Sequence, residues 1–291
     1  MIPSSQRPRL DPEVFRLLRD LVKTHAGLEF QDDALYAFER RLAERVAALS
    51  FGSFNEYYQY LRLSSGGLQE LDEVIDLLTT KETYFFRQEY QLRALSRELL
   101  PVLARQNERI RRLTLWSAGC ATGEEAYTVA MCVLESGLFS GWDVRVIGSD
   151  ISKRSVATAR RGVYRPNAFR TTPPHIRRAY FEERPDGSHI SDAVKRLCHF
   201  GQLNLLDVSK TAIVGRVDLV LCRNVLIYFE QRARSRVIEN LYDRLLPGGY
   251  LLLGHSESLW NVSTAFELCH LEDDLVYRKP LVTGRLDEAG H

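Results

Sequence analysis

The stretch from Trp116 to Tyr127, WSAGCATGEEAY, gathers residue types suited to a nucleotide-like ligand. An apolar, strand-length run, LTLWS, delivers the chain into a turn of small residues, Gly119, Ala121 and Gly123, that leaves room for close backbone approach. Two acids, Glu124 and Glu125, then open an apolar helix expected to run through Leu134, with Thr122 as its N-cap. The dinucleotide spacing G-x-G-x-x-G is absent, because Gly119 and Gly123 stand four apart with alanine at 121. A carboxylate at such a turn would repel a pyrophosphate but could hold an ammonium group or ribose hydroxyls. The preferred ligand is therefore adenosine-like with a cationic end, as S-adenosylmethionine is. The bland alternative is a turn that only joins a core strand to a core helix.

Similar chemistry recurs at other strand ends. Asp150 closes DVRVIGSD, where a carboxylate can accept both hydroxyls of a ribose; it could equally cap the next helix, a role also open to Ser152. VDLVLC runs directly into RNVLIYF and sets Arg223, Asn224 and Tyr228 where ligands bind in open parallel sheets. Three polar groups at one crevice mouth exceed what a connector needs, although Asn224 and Tyr228 could instead satisfy loop backbone and pack a helix. TTKETYFFR (79–87) contributes Arg87, able to pair with a carboxylate, and Thr83, able to bond the same ligand. Its other reading is a packing element with Tyr84, Phe85 and Phe86 in the core and Arg87 in a structural ion pair.

GHSES (254–258) imitates a nucleophile elbow, but its last position is serine and no suitably ordered acid and histidine follow. Serine hydrolysis is excluded on that ground, and His255 is read as structural or as part of a loop closing the site. On FERRLAERVAAL, Arg41 and Arg45 stand four apart on one face with Arg40 beside them. They are either a dock for an acidic partner or a solvated face beside Glu39 and Glu44.

Two architectures must position these groups. Val14, Leu17, Leu18 and Leu21 repeat at helical spacing, as do Leu35, Phe38, Leu42, Val46 and Leu49, and shorter helices are expected near 54–63 and 68–78 around an SSGG turn. This predicts an all-α N-terminal domain over 1–78. Beyond it, strands at 113–117, 143–150, 217–222 and 250–254 alternate with helices, which predicts an α/β domain with a doubly wound parallel sheet over 79–280. Residues 162 to about 200, with RPNAFRTTPP, a charged segment and a PDG turn, read as an insertion carrying a small antiparallel hairpin. The first few residues and a C-terminal tail at 281–291 are expected to fray.

Composition narrows the function. Lys+Arg (39) and Asp+Glu (38) nearly balance, so no global field attracts nucleic acid or anionic membrane. The N-terminus has no apolar h-region and no window suits a spanning helix, which points to a soluble protein without membrane insertion. Five scattered cysteines without a CxxC argue for reduced thiols, no structural metal and a cytoplasmic location.

In order along the chain, TTKETYFFR, WSAGCATGEEAYTVAM, IGSDIS, GQLNLLD, LCRNVLIYF, LLPGGYLLLGHSES and VYRK resemble the successive motifs of the chemotaxis receptor methyltransferases, the CheR family, over about residues 10–279. The resemblance implies a Rossmann-like class I methyltransferase domain with a small β-subdomain insertion, preceded by the helical domain. It implies a protein-glutamate O-methyltransferase that moves the methyl of S-adenosyl-L-methionine to glutamates in the cytoplasmic domain of chemoreceptors, leaving S-adenosyl-L-homocysteine. By motif position, Thr83, Arg87, Glu124, Asp150, Asn204, Leu205, Arg223 and Asn224 would hold the cofactor, with Arg87 and Tyr228 beside the reactive methyl and Glu125 capping the helix. Lys81 stands where many members have asparagine, and its ammonium could reach the cofactor carboxylate. Arg40, Arg41 and Arg45 fall on the helix that faces the receptor in the family. The family's insertion docks a receptor pentapeptide in some members; the hairpin around Arg184 to His189 is compact and lacks a glycine-rich loop, so that docking is not carried over.

The motif of methyltransferases acting on planar nitrogen, an Asn or Asp followed by two prolines and an aromatic, is absent after VDLVLC, which argues against such an acceptor. Two rival readings stay open: a methyltransferase of the same fold with another protein or a small carboxylate as substrate, and a signalling adaptor that binds without turnover.

Overall fold

The computed structural model describes residues 8–281. The expected fraying of the first residues and of the tail concerns positions outside the described residues, apart from Leu281. The N-terminal helices form where expected: α1 (Pro12–Ala26), α2 (Leu35–Ala48), α3 (Phe54–Leu63) and α4 (Gly67–Leu78). In α1 the buried face runs through Phe15, Leu18, Val22 and Ala26, so Leu17 of the expected stripe is exposed, as is Leu49 of the second. Proline begins α1, and Gly27 ends it at φ 71, a left-handed stop that glycine adopts without a Cβ clash. Ser53 caps α3 by accepting from the Glu56 amide. Phe15, Leu18, Phe38, Leu42, Tyr57, Val74 and Ile75 meet in a core of their own.

Residues 89–106 form a helical segment that the hydrophobic pattern did not reveal: α5 (Glu89–Ala94), one π-helical turn (Leu95–Leu99) and α6 (Leu100–Gln106). Pro101 sits at the start of α6; without an N–H, and with a ring that crowds the preceding turn, it favours the wider turn before it. Then β1 (Arg112–Ala118), α7 (Glu124–Ser136), β2 (Asp143–Asp150) and α8 (Lys153–Arg161) alternate as the sequence suggests.

The insertion comprises β3 (Val163–Tyr164), α9 (Pro174–Tyr180), β4 (Phe181–Arg184), β5 (Gly187–Ile190) and α10 (Asp192–Lys195). Its strands make a separate antiparallel sheet in the order β3-β5-β4, with the hairpin turning at Pro185 and Asp186. It closes earlier than expected, because Cys198–Gln202 (β6) pairs in parallel with β2 in the main sheet. The chain finishes with α11 (Val208–Ala212), β7 (Val217–Cys222), α12 (Gln231–Arg244), β8 (Leu245–Leu253), β9 (Glu267–His270) and β10 (Leu275–Arg278).

The main sheet runs β6-β2-β1-β7-β8-β10-β9. Its first five strands are parallel, and β10 and β9 pair antiparallel at one edge, so the sheet is mixed rather than wholly parallel. Alternation along the strands decides the layers. Leu113, Leu115, Leu219 and Leu221 pack with α7 on one face, while Trp116, Val220, Cys222 and Leu251 pack with α12 on the other. Helices therefore cover both faces, as a doubly wound sheet requires.

Candidate functional site

A cavity of about 320 Å³ opens where the C-terminal ends of β1, β2 and β7 meet the end of α1 and the segment 78–87. This is the crevice beyond the carboxyl ends of parallel strands, where open α/β sheets take ligands. Thr83, Arg87, Asp150, Asn204, Leu205, Arg223, Asn224 and Tyr228 all line it, so residues spread over 146 positions of the chain converge.

The turn after β1 is shaped by backbone strain. Gly119 has φ 82, and a Cβ there would stand 2.5 Å from a Val225 methyl. Ala121 is left-handed at φ 45, a costly state for a non-glycine residue, and its N–H donates to Asp150 Oδ2 at 2.8 Å. Asp150 Oδ1 accepts from the Ser152 amide at 2.8 Å. The Asp150 carboxyl is thus fixed from both sides, with lone pairs left over for a ligand. Burial pushes it above the ordinary carboxylate range, while the Ser152 and Ala121 amides pull it back. Ser152, not Asp150, caps α8 by accepting from the Ser155 amide.

Two expectations at the start of α7 need correction. The N-cap is Gly123 at φ 96, not Thr122; the tight backbone there demands glycine, and the Thr122 hydroxyl donates instead to Glu124 Oε2 at 2.7 Å. Glu124 is 4% exposed and is absent from the cavity wall, whereas Glu125 is part of it. Successive residues of a helix project in different directions, so one of two adjacent acids points to the ligand and the other into the protein. Glu125 accepts from the Ser117 hydroxyl at 2.6 Å and from Arg223 Nη1 at 3.1 Å. Burial raises the Glu124 carboxyl above its ordinary range, against the Thr122 hydrogen bond.

Arg223 is buried and its fork is mostly engaged. Nε donates to Gln91 Oε1 at 2.7 Å, Nη1 to Glu125, and Nη2 to the Arg87 carbonyl and Gln88 Oε1 at 2.6 and 2.8 Å. One guanidinium thereby ties β7 to the 87–91 segment and α7. Asn224 follows at φ 58, and its buried Oδ1 has no hydrogen-bond partner. Such an orphaned acceptor in a cavity wall is costly unless something bonds to it. Glu257, from the GHSES segment, accepts from the main-chain amides of Gly254, Asn224, Val225 and Ile227. Four donors on one carboxylate hold the loop that presents Asn224 and Tyr228; the sequence signal was an acid just past a strand end, read only as a failed hydrolase motif.

The residues of TTKETYFFR divide between core and cavity. Phe85 is fully buried against Tyr164, Phe169 and Phe181, while Thr83, Tyr84 and Arg87 face the cavity. Arg87 Nη1 donates to the Glu82 carbonyl at 3.1 Å, and its guanidinium lies 5.7 Å from the Tyr84 ring. Phe86 and Gln88, at φ 61 and 58, flank Arg87 with left-handed backbone. Lys81 departs from expectation: it is not on the cavity wall and instead pairs with the buried Asp76 at 3.2 Å. The Asn204 side chain is also spent on protein, donating to the His25 carbonyl at 2.7 Å and accepting from the Leu206 amide at 3.0 Å.

The α2 arginines do not form one docking face. Arg45 makes a two-pronged contact with Glu70 at 2.8 and 2.5 Å, and Tyr57 donates to the same carboxylate. Arg41 donates to the Leu78 carbonyl at the end of α4. Helical spacing put both on one side of α2, and that side packs on α4; Arg40 is the exposed one of the three.

The contribution of the helical region to the cavity went unread. Ala26, Leu28, Glu29 and Phe30 form part of its wall, held by a backbone bridge between Leu28 and Phe229 and by the Glu29 amide donating to the Tyr228 carbonyl at 2.8 Å. The available signal was the apolar LEF segment straight after the Gly27 helix stop.

Comparison with known proteins agrees with this architecture. Residues 13–79 match the CheR methyltransferase all-alpha domain, and residues 81–274 match the CheR methyltransferase SAM binding domain. Chemotaxis protein methyltransferase 2 of Vibrio cholerae is 34% identical over 278 residues, covering 94% of this chain and 95% of the relative. Chemotaxis protein methyltransferase 1 of Pseudomonas aeruginosa is 32% identical over 272 residues, covering 91% and 97%. The chemotaxis protein methyltransferase of Borreliella burgdorferi is 32% identical over 252 residues, covering 85% and 88%.

Proposed function

The chain belongs to the CheR family of S-adenosylmethionine-dependent methyltransferases of chemotaxis, and on that premise we propose that it esterifies glutamate side chains in the cytoplasmic domain of chemoreceptors. The observation that carries this reading is the convergence of Asp150, Glu125 and Arg87 on one cavity at the carboxyl edge of the sheet.

The donor set suits the cofactor. Asp150 is held with free lone pairs for ribose hydroxyls, Glu125 offers a carboxylate to an ammonium, and Arg87 offers N–H groups to a carboxylate. Ile151, Leu203 and Leu205 supply apolar wall for a base, and the orphaned Asn224 Oδ1 needs a donor. When bound, S-adenosylmethionine supplies a methyl group on a cationic sulfur, open to displacement.

The acceptor needs no general base, because a glutamate carboxylate is already ionised at neutral pH. The work left to this chain is positioning and exclusion of water, worth on the order of 7–11 kcal/mol in well-oriented reactions. Tyr228 is 39% exposed while lining the cavity, which suits a residue at the entrance that meets an incoming side chain. Arg87 orients the acceptor carboxylate and the reacting end of the cofactor. Arg223 acts through others, fixing Glu125 and the Arg87 backbone. Lys81 and Glu124 are not assigned cofactor contacts. Arg40 is the α2 arginine left for receptor contact. The insertion hairpin turns its polar groups on one another, Arg184 on Glu182 and His189 on Asp186, and pentapeptide docking is not part of the reading.

Calorimetric titration tests the site. Wild type is expected to bind S-adenosylmethionine and S-adenosylhomocysteine, and Asp150→Ala to lose most of that affinity; a wild type that binds neither overturns the reading. Transfer itself is read as base-labile methyl esters on the receptor.

A further inference from the structure

Asp76 lies in the last turns of α4, 3% exposed, where a carboxylate needs strong partners to remain buried. It has them on both sides of the junction between the helical region and the sheet. Oδ1 accepts from the Ser152 hydroxyl and from Lys81 Nζ, the latter at 3.2 Å, and Oδ2 accepts from the Arg154 amide at 3.2 Å. Ser152 is also the residue whose amide donates to Asp150 Oδ1. An unbroken chain of hydrogen bonds therefore runs from Lys81 through Asp76 and Ser152 to Asp150, and Asp150 ends it by gripping the Ala121 amide in the turn.

We propose that Asp76 and Lys81 are positioning residues for Asp150, through which the helical region sets the geometry of the cofactor site. The inference rests on the reading of Asp150 as the ribose acceptor and explains the departure at Lys81: the lysine replaces a direct ligand contact with an indirect one. Asp76 fixes the Ser152 backbone, and so the rotamer of Asp150, by a tie from a separate core. The ammonium of Lys81 and the Arg154 guanidinium, 3.8 Å from Oδ2, together balance Asp76, a second negative charge beside Asp150.

Facing Asp150 are the Ser152 and Ala121 amides, Lys81, Asp76 and the buried Cys120 thiol, with Arg154 paired to Asp76 behind them; burial raises its carboxyl, the amides and Lys81 lower it, and Asp76 raises it. Charge removal therefore has opposite signs at the two positions. Lys81→Met raises the Asp150 pKa, so cofactor binding fails at a higher pH on acidification, whereas Asp76→Asn moves that acid limb lower.

The test is calorimetric titration of the full chain with S-adenosylhomocysteine from about pH 8 downward through the acid limb of wild-type binding. Lys81→Met should weaken binding by about tenfold at the acid end, with Lys81→Arg restoring it to within about twofold. Asp76→Asn should shift the limb the other way. The inference is overturned if Lys81→Met binds like wild type throughout, or if both variants weaken binding equally at every pH, the mark of a merely structural role. A wild type that fails to bind would contradict the cofactor reading instead.

Discussion

The Arg223 guanidinium donates to the main-chain carbonyl of Arg87 at 2.6 Å. The residue at the end of β7 thereby fixes the backbone of a residue 136 positions earlier, and it does so while pairing with Glu125. Because Arg223 is 3% exposed and Glu125 15%, Arg223→Met leaves a largely buried carboxylate without its cation and should lower stability by about 3 kcal/mol. Urea denaturation measures it. Arg223→Lys keeps the charge but not the fork, and should still impair cofactor binding.

Arg87 itself spends little of its fork on protein. Arg87→Ala should reduce kcat/KM for receptor methylation by at least about a thousandfold through lost orientation. Its Tm should move by no more than about 2 °C, as for a partly exposed position outside the core. Near-normal turnover would remove Arg87 from the reaction.

The adjacent acids at the start of α7 give a sharper contrast. Glu125→Gln should weaken S-adenosylmethionine binding by about tenfold or more, through loss of a charged partner for the ammonium. Glu124→Gln keeps its bond to Thr122 and should change the affinity by less than about twofold. Equal losses in the two variants, measured by calorimetry, would contradict the orientation of the helix.

Arg45 should behave as a structural residue. Burial alone would raise the Glu70 carboxyl, but the hydrogen bonds from Arg45 and Tyr57 outweigh it and hold it below its ordinary 4.5. A lowered folded-state value means that the stabilisation is complete above the unfolded pKa and is lost as the pH falls through the folded one. Arg45→Ala should cost about 2 kcal/mol at neutral pH, with the gap to wild type narrowing below about pH 4. Arg40→Ala should leave stability unchanged and alter only KM for the receptor.

Much of this was legible because strands and helices carry periodic signals. The helix signalled by Val14 to Leu21, the run VDLVLC and the placement of Asp150 at the end of β2 follow from local pattern alone, and the structure agrees on each element, although the buried face of the helix is turned toward Phe15 and Val22. What the pattern did not carry is direction and partnership. Glu124 and Glu125 are equivalent as letters, and only the Gly123 cap angle decides which faces the cavity. Arg41 and Arg45 look like a surface until α4 is packed against them. Asp76 and Glu257 act on backbone amides and hydroxyls far along the chain, and such partners leave no spacing to read. The helical segment 89–106 was hidden by Pro101 and by polar residues such as Gln91 whose partners, the Leu253 carbonyl and Asp274, lie more than 160 positions away.

The most direct measurement is peptide-resolved mass spectrometry of a chemoreceptor cytoplasmic fragment after incubation with the enzyme and S-adenosylmethionine. Wild type should add a base-labile methyl to glutamate side chains, and Arg87→Ala should add none over the same time. Absence of glutamate methyl esters with a wild type that binds the cofactor, across receptors of the same cell, would contradict the assignment of a carboxylate acceptor.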